Sequence, residues 1–163
     1  MTSEAEFIDL LNAHQKIVYK VCNLYMDNKT DREDLFQEIC LQAWKSYNGF
    51  RGEAQFSTWL YRVALNTAIT FFRKEKKQVQ TSFTENLPEI SNSEDNIEEQ
   101  VKAMYRAIGK LNKIDKALVM LYLEDFSYIE IGETLGITPN NVAVKMNRLK
   151  IKLKEETEKI FQV

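Results

Sequence analysis

Residues 137 to 154, ITPNNVAVKMNRLKIKLK, hold five basic side chains and no acidic one. Lys145, Arg148 and Lys152 recur at the three-and-four spacing that gathers side chains on one flank of a helix, where they can neutralise phosphates. Asn140 and Asn141 precede them, and an amide side chain can pair with the edge of adenine. Val144 falls opposite the apolar stripe of the same segment, where a thymine methyl would suit it. The chemistry is recognition of duplex DNA, and the plainer alternative is a solvated basic face.

A second constellation lies near the middle of the chain. Phe50 sits in the glycine-flanked stretch NGFRGEA, and Trp59, Arg62, Val63, Asn66 and Arg73 share one side of the helical pattern that follows. An aromatic ring, an amide and cations together can stack an unpaired base, bond its edge and hold its backbone. The same set could equally form a protein-docking surface.

The elements that must carry these residues are helical. Apolar residues at helical spacing predict one helix through Phe7 to Tyr25 and a second through Leu35 to Tyr47, the latter opened by a T-x-x-E capping box of Thr30 and Glu33. A third runs from about Ser57 to Glu75, with Leu60, Ala64, Leu65 and Ala68 on its apolar side. Ile97 to Leu111, Ala117 to Leu123 and Tyr128 to Leu135 predict three more. No stretch alternates like a strand, so the fold is all-α.

The last pair of helices is specified in unusual detail. Ser127 and Glu130 form an S-x-x-E capping box, Gly136 can take the left-handed conformation that ends a helix, Thr138 caps the next, and Pro139 fits its first position. Two capped helices around one glycine turn make a helix-turn-helix. On its second helix Val142, Met146, Leu149 and Leu153 form the core stripe.

Charge divides the chain in the same way. Lys and Arg against Asp and Glu number 9 to 10 over residues 1–75, 2 to 6 over 76–100 and 11 to 8 over 101–163. The C-terminal third is basic although the chain carries a net charge of -2. The acidic stretch TSFTENLPEISNSEDN reads as a flexible linker. The expected organisation is therefore a first domain over 1–76, a linker over 77–96 and a helix-turn-helix domain over 97–163.

Cys22, Cys40 and the single histidine, His14, offer no metal-ligand spacing, and two reduced, buried thiols in a cytoplasmic protein are expected. The longest apolar run, Ala117 to Leu123, is too short for membrane insertion. No nucleophile–base pair or phosphate-binding glycine loop is evident, so neither an enzyme nor a cofactor is expected.

The stretches DREDLFQEICLQAW, FRGEAQFSTWLYRVALNTA and SYIEIGETLGITPNNVAVKMNRLKIKLK together resemble the extracytoplasmic-function group of the sigma-70 family. Residues 5–75 are similar to sigma region 2 and residues 98–160 to region 4. The resemblance implies a promoter-recognition subunit of bacterial RNA polymerase. Asp34, Leu35, Gln37, Glu38 and Trp44 would dock on the β′ clamp helices, and region 4 would meet the β flap. Phe50, Val63 and Asn66, with Trp59, Arg62 and Arg73, would capture a base flipped from the nontemplate strand at the minus-ten element. Thr138, Asn140, Asn141, Val144, Lys145, Arg148 and Lys152 would hold the minus-35 duplex. An anti-sigma factor is the further partner implied. A stand-alone helix-turn-helix regulator is the rival, which would need a dimer interface to read two half-sites. Ala143 and Gly132 depart from the family, which commonly has a basic residue and an alanine there.

Overall fold

A computed structural model describes residues 4–74 and 95–161, without the side chains of 72–74, 95–97 and 159–161. Its elements are α1 (Glu4–Ala13), α2 (Gln15–Tyr25), α3 (Lys29–Ser46), a single 3₁₀ turn (Tyr47–Gly49), α4 (Phe56–Lys74), α5 (Asp95–Gly109), α6 (Lys113–Leu123), α7 (Tyr128–Leu135) and α8 (Pro139–Phe161). Among the described residues there is no strand. The chain divides into two compact units, Met1–Thr81 and Ser82–Val163. Most of the expected linker, up to residue 94, lies outside the described residues. Asp95 and Asn96, expected at its end, open α5.

In the first unit α4 packs on α2 and α3, and α2 packs on α3. Val18, Val21, Leu35, Ile39, Ala43, Leu60, Ala64, Leu65 and Ala68 are completely buried between them. Each Leu or Ile so buried contributes roughly 1.5–3 kcal/mol, which is what holds α3 and α4 side by side.

Two expectations for this unit are corrected. The helix expected through Phe7 to Tyr25 is broken at His14. Its backbone N–H reaches the carbonyls of Leu10 (3.2 Å) and Leu11 (3.1 Å), while ring Nδ1 lies 2.9 Å from Leu10 O. The ring rests on Phe56, centroids 5.1 Å apart. Helix α3, in turn, is capped by Asn28 and not by Thr30. Asn28 has the extended backbone a cap requires (φ -112°, ψ 163°), whereas Thr30 is already inside the helix. Asn28 Oδ1 accepts from Asp31 N at 2.8 Å, and its Nδ2 donates to Asp31 Oδ2 at 2.9 Å, a reciprocal pair.

The thiols stand on adjacent helices of this unit. Cys22 is buried and Cys40 only half-buried, and both are free. Burial, and after it the neighbouring Cys40, pushes the Cys22 thiol up to about 12; burial also raises Cys40.

In the second unit α8 packs on α5, α6 and α7. Val142, Met146, Leu149 and Leu153 are buried, so the stripe read from the sequence is the core side of α8. The helix continues to Phe161, and Lys110 Nζ at the end of α5 pairs with Glu156 Oε1 at 3.8 Å. Asn112 caps α6 by accepting from Asp115 N at 2.9 Å. Asp125, between α6 and α7, holds φ at +65°.

Candidate nucleic-acid interface

The corner between α7 and α8 is built entirely by local bonds. Ser127 Oγ accepts from Glu130 N at 3.1 Å, and Glu130 Oε1 accepts from Ser127 N at 2.9 Å. At the other end Gly136 sits at φ +76°, and the N–H groups of Gly136 and Ile137 both donate to Gly132 O, at 2.8 and 3.0 Å. A glycine is the residue that occupies this conformation without a Cβ penalty. Thr138 Oγ1 then accepts from Asn141 N at 3.1 Å and starts α8. Gly132 has its own steric reason: a Cβ there would lie 2.5 Å from the Ile137 carbonyl oxygen. The turn thus presses directly on α7.

This corner sets the roll of α8. With the core stripe inward, Thr138, Asn140, Asn141, Arg148 and Lys152 are exposed, and Lys145 is half-buried. Val144 is 41% exposed and Ile151 60%, both apolar and both outward. The cations do not share one environment. Lys150 Nζ lies over the Tyr122 ring, 4.6 Å from its centroid, and interaction with Tyr122 raises its pKa. Lys150 is held toward α6, away from the flank carrying Lys145, Arg148 and Lys152.

In the first unit the residues singled out on α4 and in the preceding loop fall into two places. Phe50 packs into an aromatic cluster, with centroids 6.0 Å from Tyr47 in stacked geometry, 5.8 Å from Phe56 and 5.3 Å from Trp59. Trp59, which the wheel put off the core face, therefore has partners the wheel could not supply. Val63 and Asn66 instead line an open groove of about 330 Å³ between α3 and α4, together with Glu38, Gln42, Ser46, Thr67, Thr70 and Phe71. Arg62 is half-buried. Arg73 belongs to α4, and its side chain lies outside the described residues.

The face of α3 expected to dock a protein needs one correction. Leu35 is 0% exposed and belongs to the core with Ile39 and Ala43, spaced four residues apart. Asp34 and Gln37 are exposed. Trp44 is partly exposed while its ring meets Phe7 at 5.2 Å. Leu41, which sequence reasoning passed over, is 45% exposed. Its position seven residues after Asp34 and four after Gln37 places all three on one face. Glu38 turns toward the groove, where Gln42 Nε2 donates to its Oε2 at 2.9 Å.

Two helical units, the second a helix-turn-helix with a cationic outer flank and exposed amides at its start, define a DNA-binding protein of the helix-turn-helix class. Comparison with known proteins narrows this. Residues 10–78 match the family description Sigma-70 region 2, and residues 102–153 match Sigma-70, region 4. The chain is 30% identical over 156 residues to the ECF RNA polymerase sigma factor SigW of Bacillus subtilis, covering 87% of this chain and 83% of the relative. It is 31% identical over 132 residues to the ECF RNA polymerase sigma-E factor of Escherichia coli strain K12, covering 72% and 69%. The chain belongs to the extracytoplasmic-function sigma factors of the sigma-70 family.

The fold has solved counterparts. The sigma factor RpoE in complex with the anti-sigma factor NepR from Bartonella quintana superposes with a TM-score of 0.75 at 17% identity, covering 94% of this chain and 97% of that one. CnrH in complex with the cytosolic domain of CnrY gives 0.64 at 19%, covering 94% and 88%. Among the described residues no helix is long and apolar enough to cross a membrane, and no group of three His, Cys, Asp or Glu side chains could hold a metal ion.

Proposed function

We propose that this protein works in the cytoplasm as a non-catalytic specificity subunit, directing core RNA polymerase to promoters carrying matched minus-ten and minus-35 elements. The observation that carries this reading is the presence, in family order on one chain, of a region 2 unit and a region 4 helix-turn-helix. The second unit takes the minus-35 element as duplex. Asn140, Asn141 and Val144 face base edges, while Lys145, Arg148 and Lys152 neutralise phosphates. Thr138 holds the start of the helix against the backbone. Three phosphate contacts give a modest, salt-sensitive affinity, so the unit needs polymerase to deliver it.

The first unit opens the duplex. Val63 and Asn66 receive a base flipped from the nontemplate strand, the aromatic cluster of Phe50 and Trp59 flanks it, and Arg62 and Arg73 hold the backbone. Capture of the unstacked base offsets an unpairing cost of a few kcal/mol. Asp34, Gln37 and Trp44 dock on the β′ clamp helices, and the second unit meets the β flap. The solved fold counterpart RpoE, held in complex with the anti-sigma factor NepR, supports an anti-sigma factor as the regulator here too.

Run-off transcription with purified core polymerase, on a promoter from upstream of the protein's own gene, tests the reading. Transcription should start only when protein and core are combined. Retardation of promoter duplex by the protein alone, with no effect of core, would establish the stand-alone regulator instead. Within the holoenzyme, Asn66→Ala should impair strand opening more than polymerase association, and equal loss of both in footprinting would remove Asn66 from the strand-opening role.

A further inference from the structure

The turn that leads into Phe50 carries a chemistry that the promoter contacts do not use. Asn48 and Gly49 are both exposed, in the single 3₁₀ turn Tyr47–Gly49. An asparagine followed by glycine can close on itself: the main-chain nitrogen of Gly49 attacks Asn48 Cγ, and no Cβ on the glycine shields that nitrogen. Every other asparagine of the chain is followed by a residue with a side chain.

The fold does not ask for glycine at position 49. Gly52, in the same loop, holds φ at +76°, a conformation that glycine takes freely. The φ of Gly49 lies outside the left-handed region, and a Cβ there would meet nothing within 4 Å. Space for a side chain is also space for a five-membered ring. What holds Asn48 back is the turn itself, closed by Phe50 N donating to Tyr47 O at 2.9 Å. A lone 3₁₀ turn has poorer hydrogen-bond geometry than an α-helix, and exposed turns open locally at low cost, which brings the Gly49 nitrogen to Cγ.

We propose that Asn48–Gly49 is a self-converting deamidation site that ages the promoter-opening surface. As the bond from Gly49 N to Asn48 Cγ forms, the bond from Cγ to the side-chain nitrogen breaks, and ammonia leaves with the proton of the Gly49 amide. Water then opens the succinimide ring. Attack at Cγ yields aspartate, and attack at the main-chain carbonyl yields isoaspartate, whose main chain runs through Cβ and Cγ. Both products replace a neutral amide by a carboxylate two positions before Phe50, which repels strand phosphates. Isoaspartate also adds a methylene to the main chain between Tyr47 and Phe50, whose rings stack 6.0 Å apart at 16°. That insertion takes Phe50 out of register with Tyr47 and with Trp59, 5.3 Å away. The functional consequence rests on the reading of Phe50 as part of the strand-opening site; the conversion itself does not.

The test incubates the purified protein at mildly alkaline pH, where the amide nitrogen attacks faster. Peptide mapping by mass spectrometry follows, with isoaspartate labelled by an isoaspartyl methyltransferase. Asn48 should convert before any other asparagine of the first unit, and Gly49→Ala, for which the turn has room, should suppress its conversion. Reassembled with core polymerase, the aged protein should lose open-complex yield by about 2–10-fold, the worth of one aromatic pair, with core affinity unchanged. Aged Gly49→Ala should lose none. Persistence of Asn48 after those other asparagines have turned overturns the proposal, as does conversion at an equal rate in Gly49→Ala. Phe50→Ala separates the two levels. If it impairs opening while full conversion of Asn48 does not, the ageing role falls. If it has no effect on opening, the reading of Phe50 falls and takes the ageing role with it, while the conversion stands on the mass spectra.

Discussion

Replacing Gly132 with alanine should loosen the helix-turn-helix, and the structure supplies both signs of the effect. A Cβ at this position would stand 2.5 Å from the Ile137 carbonyl oxygen, roughly 0.9 Å inside ordinary contact. The obstructing atom is backbone in a turn pinned by two bonds to Gly132 O, so it cannot swing aside like a side-chain tip. Overpacking of this kind costs about 1–3 kcal/mol, and a rigid neighbour favours the upper end. Alanine offsets about 1 kcal/mol of that through its higher helix propensity. The net expectation is a loss of about 1–2 kcal/mol in the second unit, which should speed exchange of its most protected amides roughly 5–30-fold. Hydrogen exchange resolved by peptide is the assay, because both tryptophans, Trp44 and Trp59, lie in the first unit and would not report it. Peptides covering residues 4–74 serve as the internal control. Unchanged or slower exchange over 128–154 would show that the turn moves away at no cost, and would refute the steric role given to Gly132.

Other expectations follow from single contacts. Lys145→Ala with Arg148→Ala should weaken minus-35 dependence and reduce the slope of log affinity against log salt by about 1.8, checked by titrating holoenzyme at several ionic strengths. Ser127→Ala should cost about 1 kcal/mol by unmaking the α7 cap, read from the same exchange experiment. Asp125→Gly should raise stability by about 0.5–1 kcal/mol, since the left-handed backbone at φ +65° then carries no Cβ, and a thermal melt measures it. The Cys22 thiol, with a folded pKa pushed up to about 12 from 9.0, keeps its proton in the native state where the unfolded chain has released it. Its contribution to stability is present below pH 9 and is lost as pH rises toward 12. Urea titrations at pH 8 and 10.5 should show that loss, smaller in Cys22→Ala.

What could be read ahead of the structure was what local chemistry decides. The Ser127–Glu130 box, Gly136, Thr138 and Pro139 each satisfy or spare a backbone group within a few residues, and all five stand where the sequence put them. The break at His14 was not legible, because no glycine or proline marks it and its partner Phe56 is 42 positions away. The sequence puts the start of α3 at the Thr30–Glu33 box, and it is the extended backbone of Asn28 that marks the cap two residues earlier. Leu35 opens the four-residue apolar series continued by Ile39 and Ala43, which is a core pattern, and it is the family resemblance that assigns it to docking. Nor could a wheel of α4 reveal that Trp59 and Phe50 meet across a loop, whereas Asn66 faces Glu38 and Gln42 on another helix.

The tether between Lys150 and Tyr122 makes α8 a lopsided tool. With one ammonium drawn back over an aromatic ring, the cations of the other flank, Lys145, Arg148 and Lys152, would pull on a single wall of the groove proposed for them. A cylinder tugged from one side leans, so the two strands of the minus-35 box should be shielded unequally from hydroxyl radicals, and freeing that lysine should even them out.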